Sequence, residues 1–244
     1  MLIMVPPINL KEIRRNTDIR DKARRLYLLS EGTLTEPRVL NAILNKSTYL
    51  LSNNAIRFYE VERTDQDFGV NSLKGMIDIA YKNVINNRDI FSKKRDKVII
   101  FFDLDIYHED YNEIKKIIND NKKYIIFVFT NPAIELFLLL CKDGSYENII
   151  QPNINDILRN ERIAGTNRRY IHQLVVDTFG VDPKNNKEDF IVFSNGLLTA
   201  INQEKLFISQ KLSNPDNNLI SNFGYIFEHI KNNDFDSIDY FTVL

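Results

Sequence analysis

The stretch from Lys97 to Asp105 constrains this chain more than any other. Residues Val98–Phe102 are consecutive, apolar and either β-branched or aromatic, which is typical of a strand buried on both faces of a parallel sheet. Ligands of open α/β sheets lie outside the carboxyl ends of the strands, and residues two apart on a strand point to the same side. Asp103 and Asp105 can therefore converge on one hard cation. Alternatively, one caps the next helix and the other is solvated.

Strand-like and helix-like segments alternate through the N-terminal part of the chain. Apolar runs predict strands, and helical periodicity predicts helices, at 26–29 (strand), 39–51 (helix), 55–61 (strand), 72–84 (helix), 98–102 (strand), 111–121 (helix) and 124–129 (strand). Such alternation is the signature of a doubly wound parallel sheet. We therefore predict an α/β fold, a Rossmannoid parallel sheet flanked by helices, with a mostly helical C-terminal part.

The chain divides into three predicted parts. Residues 1–25 are a basic N-terminal extension, 26–142 contain the sheet, and 143–244 form a helical region packed on it. In the last part, helices are predicted at 170–179, 193–212 and 219–230. With 244 residues, of which 43% are hydrophobic, the chain can bury a sizeable core.

Composition excludes several classes of protein. The formal net charge of −1 argues against a generally basic nucleic-acid binder, so any such contact must come from local patches. Cys141 is the only cysteine, which excludes an intramolecular disulfide and a zinc-binding cysteine cluster. The sequence has neither a long apolar run nor the charged start and apolar centre of a signal peptide. We expect a cytoplasmic protein without membrane contact.

Two further carboxylates follow predicted strands. Glu31 comes after the strand at 26–29, where Gly32 permits a sharp exit and Thr33 with Glu36 has the spacing of a capping box. Glu135 lies just after Pro132, a residue well placed at a helix start. Glu31 could also do no more than stabilise the positive end of the following helix.

A basic cluster precedes the predicted helix at 170–179 and comprises Arg159, Arg162, Arg168 and Arg169. These arginines either form a solvated surface or contact the backbone of a nucleic acid.

Three segments together resemble the motifs of the RloB family of phage-defence proteins: Ser30–Pro37, Phe102–Asp105 and Asn131–Phe137. Their order of Glu, Asp-x-Asp and Glu is also similar to that of the Toprim domain shared by topoisomerases, bacterial primases and OLD-family nucleases. The likeness continues in Leu212–Asn218, so it spans residues 26–230. The segment Phe137–Lys142 departs from the family, which often has aromatic and His residues there.

The resemblance implies a Toprim-like catalytic domain over residues 26–142, with catalytic Glu31, Asp103, Asp105 and Glu135. Asp103 and Asp105 would bind Mg²⁺, or Mn²⁺ in its place. Glu31 would be a third metal ligand or the general acid/base, and Glu135 a ligand or a positioning residue. Metal held by carboxylates stabilises the charge on the attacking and leaving oxygens of a phosphodiester. The nucleophilic Tyr module of a topoisomerase and the further domains of a primase are too large for this chain, which leaves a nuclease acting on DNA or on an RNA such as tRNA.

The same resemblance implies a biological setting. Family members are effectors of abortive phage defence and associate with ABC- or SMC-type ATPases. The chain would then be a toxic effector, held inactive by its ATPase partner until infection. It contains no Gly-x-x-x-x-Gly-Lys-Ser/Thr loop, so ATP hydrolysis would come from the partner. The resemblance leaves a homo-oligomer open.

Two other classes of function also fit parts of the sequence. In a haloacid-dehalogenase-like phosphatase, Asp103 would be the nucleophile, Asp105 the acid/base, and Asp177 with Asp182 the later acidic pair. That family normally opens with its Asp-x-Asp strand, and it leaves the Glu31 and Glu135 motifs unexplained. The third possibility is a non-catalytic partner protein whose carboxylates are vestigial.

Overall fold

The fold is built on a five-stranded sheet in the order β2-β1-β3-β4-β5. The computed structural model describes residues 24–30, 56–61, 72–104, 111–184, 191–213 and 218–241. The strands are β1 (Arg24–Ser30), β2 (Ile56–Glu60), β3 (Lys97–Asp103), β4 (Ile125–Asn131) and β5 (Ile220–Ser221). The first four run parallel, and β5 pairs antiparallel with β4. This arrangement confirms the predicted α/β, Rossmann-like fold.

Helices flank the sheet and dominate the C-terminal part. The described helices are α1 (Leu73–Ala80), α2 (Tyr111–Asn121), α3 (Glu135–Leu139), α4 (Ile154–Arg159), α5 (Tyr170–Phe179), α6 (Ile191–Asn195), α7 (Leu197–Phe207) and α8 (Phe223–Asn232). A π-helical turn, Tyr81–Ile85, continues α1, and another turn of this kind spans Tyr146–Ile150. A 3₁₀ turn, Gln151–Asn153, leads into α4. Among the described helices, none is long and apolar enough to cross a membrane.

The two central strands are buried because helices cover both faces of the sheet. Every residue of β4, and every residue of β3 after Lys97, is buried, as expected for a continuous apolar run in a parallel sheet. On α2 the buried residues are Ile114, Ile117 and Ile118, which share one face of the helix. The predicted strands and this predicted helix are thus confirmed. The predicted helix at 39–51 and the capping box lie outside the described residues.

The sheet has a topological switch point between β1 and β3. The chain goes from β1 to β2 on one side of β1 and then returns to β3 on the other side. In such sheets the ligand crevice lies outside the carboxyl ends of the strands that border the switch. In the pairing of β1 with β3, Ser30 is opposite Phe101. The ends of these strands, Ser30 and Asp103, therefore border the expected crevice.

The outer edge of β4 is covered by residues from the C-terminal part of the chain. Beside β5, the Asn222 side chain accepts a hydrogen bond from the Phe129 N–H (2.8 Å) and donates one to the Phe127 carbonyl (3.0 Å). The Phe127 N–H donates to the Tyr240 hydroxyl (3.1 Å). These groups satisfy backbone atoms that an open strand edge would leave unpaired. The predicted helix at 219–230 is therefore wrong at its start, because β5 forms first and α8 begins only at Phe223.

The predicted helix at 193–212 is two helices, α6 and α7, separated by Gly196 and ending at Phe207. Gly196 lies against the end of α3. A Cβ atom built on it would lie 2.1 Å from the Cys141 carbonyl oxygen. Glycine thus permits a backbone-to-backbone approach between the α6–α7 junction and the end of α3. The predicted boundaries at residues 25 and 142 stay predictions.

Glu204 on α7 is a buried carboxylate that holds the start of α8. It accepts hydrogen bonds from the Gly224 and Tyr225 N–H groups, the Ser221 hydroxyl and the Gln210 amide. The two N–H groups belong to the first turn of α8, where backbone donors have no partner within the helix. Glu204 therefore replaces a local cap, since the Asn222 side chain is occupied by β4.

We expect Glu204 to make stability depend on pH. Burial raises the pKa of Glu204 to about 7 from the ordinary glutamate pKa of 4.5, although its hydrogen bonds oppose the rise. The folded state therefore binds more protons than the unfolded state between these pH values. The stability that Glu204 contributes is greatest below its pKa in the unfolded state and is lost as the pH rises through its pKa in the folded state. The total loss in free energy of unfolding is up to about 3 kcal/mol.

Urea unfolding at pH 5 and pH 8 measures this effect, with Glu204→Gln as the comparison because its side chain does not titrate. The parent should lose more free energy of unfolding between the two pH values than the variant does. Equal losses in the two proteins would exclude Glu204 as the source of the pH dependence.

Candidate active site

Asp103 is the last residue of β3 and its carboxylate is held by the neighbouring strand. The residue is only 9% exposed. Thr130 lies opposite it in the pairing of β3 with β4, and the Thr130 hydroxyl donates to Asp103 Oδ1 at 2.5 Å. Hydrogen bonds to an ionised carboxylate are short and strong. The structure thus places an oriented carboxylate where the crevice is expected.

Glu135 lies at the same edge of the sheet, after the end of β4. The chain leaves β4 through a cis Asn131–Pro132 bond, and α3 begins at Glu135 rather than at Pro132. Glu135 is in the first turn, as predicted, but it is only 6% exposed. It is therefore a buried carboxylate and not a solvated one near a helix end.

The late segment that resembles the RloB family reaches this edge as well. The Asn131 side-chain amide donates to the Asn218 carbonyl at 2.7 Å. Asn131 ends β4, and Asn218 ends the segment that begins at Leu212. Two segments that resemble family motifs, separated by 87 positions, therefore meet beside the candidate site.

A chain of polar side chains extends from the buried Glu135 towards the protein surface. His172 on α5 lies between two carboxylates, with Nδ1 3.0 Å from Glu135 Oε1 and Nε2 3.1 Å from Asp182 Oδ1. Arg168 donates to the other oxygen of Asp182 at 2.8 Å. His172 is only 3% exposed. We call Glu135, His172, Asp182 and Arg168 the histidine chain.

The histidine chain holds both carboxylates in their ionised form. Burial raises the pKa of Glu135, but the hydrogen bond from His172 and the positive charges of Lys184 and His172 outweigh it, and the pKa is lowered. The pKa of Asp182 is lowered for similar reasons: burial is outweighed by the Lys184 N–H and the charges of His172 and Arg168. Ionised carboxylates only accept hydrogen bonds. Both carboxylates can therefore accept a hydrogen bond from the His172 ring.

Sequence reasoning missed His172 as a site residue and considered Asp182 only for the phosphatase alternative. A signal was present, because the buried residues of α5 are Ile171, His172 and Val175. A titratable side chain on an otherwise apolar helix face must find polar partners when it is buried. The sequence did not show that one of those partners is Glu135.

The arginines of the basic cluster have different surroundings. Arg168 belongs to the histidine chain and also donates to Gln173 at 3.0 Å. Arg159 pairs with Asp156 on its own helix. Arg162 and Arg169 lie opposite each other across an antiparallel bridge, and both are exposed. Arg159, Arg162 and Arg169 are thus exposed, as a contact with a nucleic-acid backbone would require, whereas Arg168 has an evident structural role.

The remaining predicted site residues, Glu31 and Asp105, lie outside the described residues. Glu31 directly follows Ser30, the last residue of β1, and Asp105 is two positions beyond the end of β3. Within the described part of the chain, no three His, Cys, Asp or Glu side chains form a group that could hold a metal ion. A metal bound by Glu31, Asp103 and Asp105 stays a prediction.

Comparison with known proteins adds no relative: no protein-family model, curated protein or solved structure matches this chain. An assignment of function therefore depends on the residues of the site and on the motifs they belong to. The described part of the site offers an oriented carboxylate at a switch point and a second, buried carboxylate at the same edge of the sheet.

Proposed function

We propose that this protein is a Mg²⁺-dependent nuclease with a Toprim-like catalytic domain, in which Mn²⁺ can replace Mg²⁺. The observation that carries the proposal is the position of Asp103, a largely buried carboxylate oriented by Thr130 at the carboxyl end of β3. The crevice beside a switch point is the usual ligand site of open α/β sheets. Carboxylate oxygens are the ligands that Mg²⁺ prefers.

The candidate residues suit phosphodiester cleavage. Asp103, with Asp105 and Glu31, would hold the cation, and bound metal would stabilise charge on the attacking and leaving oxygens. Thr130 keeps the Asp103 carboxylate in one orientation. Glu135 would act as a further ligand or position the reacting groups. Arg159, Arg162 and Arg169, which are all exposed, would contact phosphates of the nucleic acid.

The wider role rests on the three motifs that resemble the RloB family. We propose that the protein is a cytoplasmic toxic effector of abortive infection, released or activated by an ABC- or SMC-type ATPase when a phage infects the cell. Its target would be DNA or an RNA such as tRNA, and it could act as a homo-oligomer. The meeting of Asn131 with Asn218 beside Asp103 supports this proposal, because it joins two of the segments that carry the resemblance.

The test is a cleavage assay with the purified chain, alone and with its ATPase partner. Total tRNA, single-stranded RNA, duplex DNA and p-nitrophenyl phosphate are incubated with Mg²⁺, with Mn²⁺ or with EDTA. We expect EDTA-sensitive cleavage of a nucleic acid and no release of p-nitrophenol. Turnover of p-nitrophenyl phosphate alone would favour the phosphatase alternative. No turnover of any substrate would favour the non-catalytic one.

Replacing Thr130 by Val should lower kcat by roughly 10- to 100-fold, the usual cost of losing a group that orients a metal ligand. Valine has a similar shape but leaves the Asp103 carboxylate without this donor, whereas Thr130→Ser retains the hydroxyl. Steady-state cleavage and melting temperatures should be measured for both variants. A serine variant as slow as the valine variant would contradict a role for the hydroxyl.

A further inference from the structure

We propose that His172 is a positioning residue for the reaction: its Nδ1 holds the Glu135 carboxylate in the orientation that cleavage requires. This inference rests on the proposed nuclease function and deepens it. His172 Nδ1 lies 3.0 Å from Glu135 Oε1, and both side chains are buried. His172 is thus the partner that places a carboxylate of the candidate site.

Glu135 receives a side-chain contact from His172, and the positive charge of Lys184 also acts on its carboxylate. Glu135 is the first residue of the short helix α3, whose N-cap residue, Ile134, makes no side-chain cap. A first-turn glutamate without a partner would be free to extend towards solvent. Because α5 packs against α3, His172 reaches Glu135 from outside its own segment of the chain.

The imidazole ring is fixed at both nitrogens. Opposite Glu135, the ring meets Asp182, which also accepts from Arg168 at 2.8 Å and from the Lys184 N–H at 2.9 Å. A ring held at both nitrogens neither flips nor rotates, so its Nδ1 points in one direction, towards Glu135. Groups behind a catalytic carboxylate are needed to hold it in productive geometry.

Stability alone does not explain the histidine chain. Removing charged groups from water is costly, and replacing a buried ion pair with well-packed apolar residues is often neutral or stabilising. Ile171 and Val175, the buried neighbours of His172 on α5, show that this helix face otherwise packs with apolar side chains. The buried contact of His172 with Glu135 at the sheet edge is better explained by what it does to Glu135.

The chain also connects the candidate site to the exposed arginines. Arg168 is adjacent in sequence to Arg169, which is paired with Arg162 across the bridge. The bridge lies at the start of α5, the helix that carries His172. A phosphate contact by Arg162 or Arg169 would therefore occur on the same rigid segment that holds Glu135.

Two variants with matched chemistry test the proposal. The side-chain amide nitrogen of Asn occupies the position of the His Nδ1, whereas that of Gln occupies the position of Nε2. His172→Asn can therefore still donate to Glu135, and His172→Gln can still donate to Asp182. We expect His172→Asn to retain kcat within a few-fold of the parent, and His172→Gln to lose roughly 10- to 100-fold. KM should not change, since His172 is too deeply buried to touch substrate.

The controls separate positioning from folding. His229, the other described histidine, lies on α8, where its ring contacts Asp234 and Ser237, and His229→Asn and His229→Gln should both cleave like the parent. Melting temperatures of the His172 variants should fall by similar amounts. If His172→Gln does not fold, Asp182→Ala provides the second test, because it removes the outer anchor of the ring and leaves Nδ1 in place. We expect Asp182→Ala to lower kcat, but by a smaller factor than the one expected for His172→Gln.

The outcomes distinguish this inference from the proposed function. If the parent protein does not cleave any nucleic acid in the presence of metal, both the proposed nuclease function and the positioning role of His172 are contradicted. If the parent cleaves, the positioning role alone is contradicted by equal losses of kcat in His172→Asn and His172→Gln. An unchanged kcat in Asp182→Ala would contradict it as well. Losses of kcat that follow the melting temperatures in every variant would likewise show that His172 only supports the fold.

Discussion

Asp103→Asn protein should fold normally and cleave nucleic acid at least roughly 100-fold more slowly than the parent at saturating Mg²⁺. Asparagine has the same shape, and its side-chain oxygen still accepts from the Thr130 hydroxyl. The change removes the negative charge, which is what a hard cation requires. The residue ends β3 instead of packing within the core, so the sheet should not be disturbed.

The melting temperature without metal provides the second measurement. Clustered carboxylates repel each other, so Asp103→Asn should melt at the same temperature as the parent or slightly higher. Asp120→Asn is the matched control, since Asp120 is exposed on α2, outside the candidate site. In cells that carry the ATPase partner and face phage, a folded Asp103→Asn protein that still kills or protects like the parent would support vestigial carboxylates.

Gly196→Ala should destabilise the protein by about 3 kcal/mol or more, at the upper end for an overpacked site. The φ angle of Gly196 is −86°, so alanine meets no conformational strain there. The cost comes from space: the new Cβ would lie 2.1 Å from the Cys141 carbonyl oxygen and 2.7 Å from its Cβ. A backbone atom cannot rotate away, so the end of α3 and the α6–α7 junction must separate.

Gly180→Ala is a control with the opposite properties. At Gly180 the φ angle is +67° and a Cβ would meet no atom within 4 Å, so the expected cost is only about 1 kcal/mol of backbone strain. Urea unfolding of both variants compares a steric cost with a conformational one. If Gly196→Ala were no less stable than Gly180→Ala, the close approach to Cys141 would not be needed for the fold.

Much of the sheet could be predicted because its strands are recognisable from their local apolar pattern. The apolar run in β3 and the three isoleucines of α2 identify these elements without knowledge of their neighbours. The same approach failed for β5, because Leu219–Ile230 has a periodicity that favours a helix throughout. The strand β5 and the Asn222 side chain are needed because they pair with the outer edge of β4. That edge is far away in sequence, so the local pattern does not reveal it.

The candidate site was predictable to a similar degree. Asp103 lies at the carboxyl end of β3, as the sequence predicted, since strand ends follow directly from the apolar pattern. Glu135 was predicted at the start of its helix, but its burial was not. Its contact with His172 joins positions 37 residues apart, and nothing in the local pattern of either segment encodes that pairing. Arg168 could be recognised as basic, but not as a partner of Asp182.

The covered edge of β4 also sets the order in which the protein can mature on the ribosome. Strand β4 ends at Asn131, yet Asn218, Asn222 and Tyr240 supply its missing hydrogen-bond partners. Domains fold as units during synthesis. We therefore expect that β4 and the carboxylates beside it do not reach their native structure until residues 218–241 have left the exit tunnel. Under the proposed function, a nascent chain would therefore be harmless to the cell that makes it, and the proposed ATPase partner would need to restrain only completed molecules.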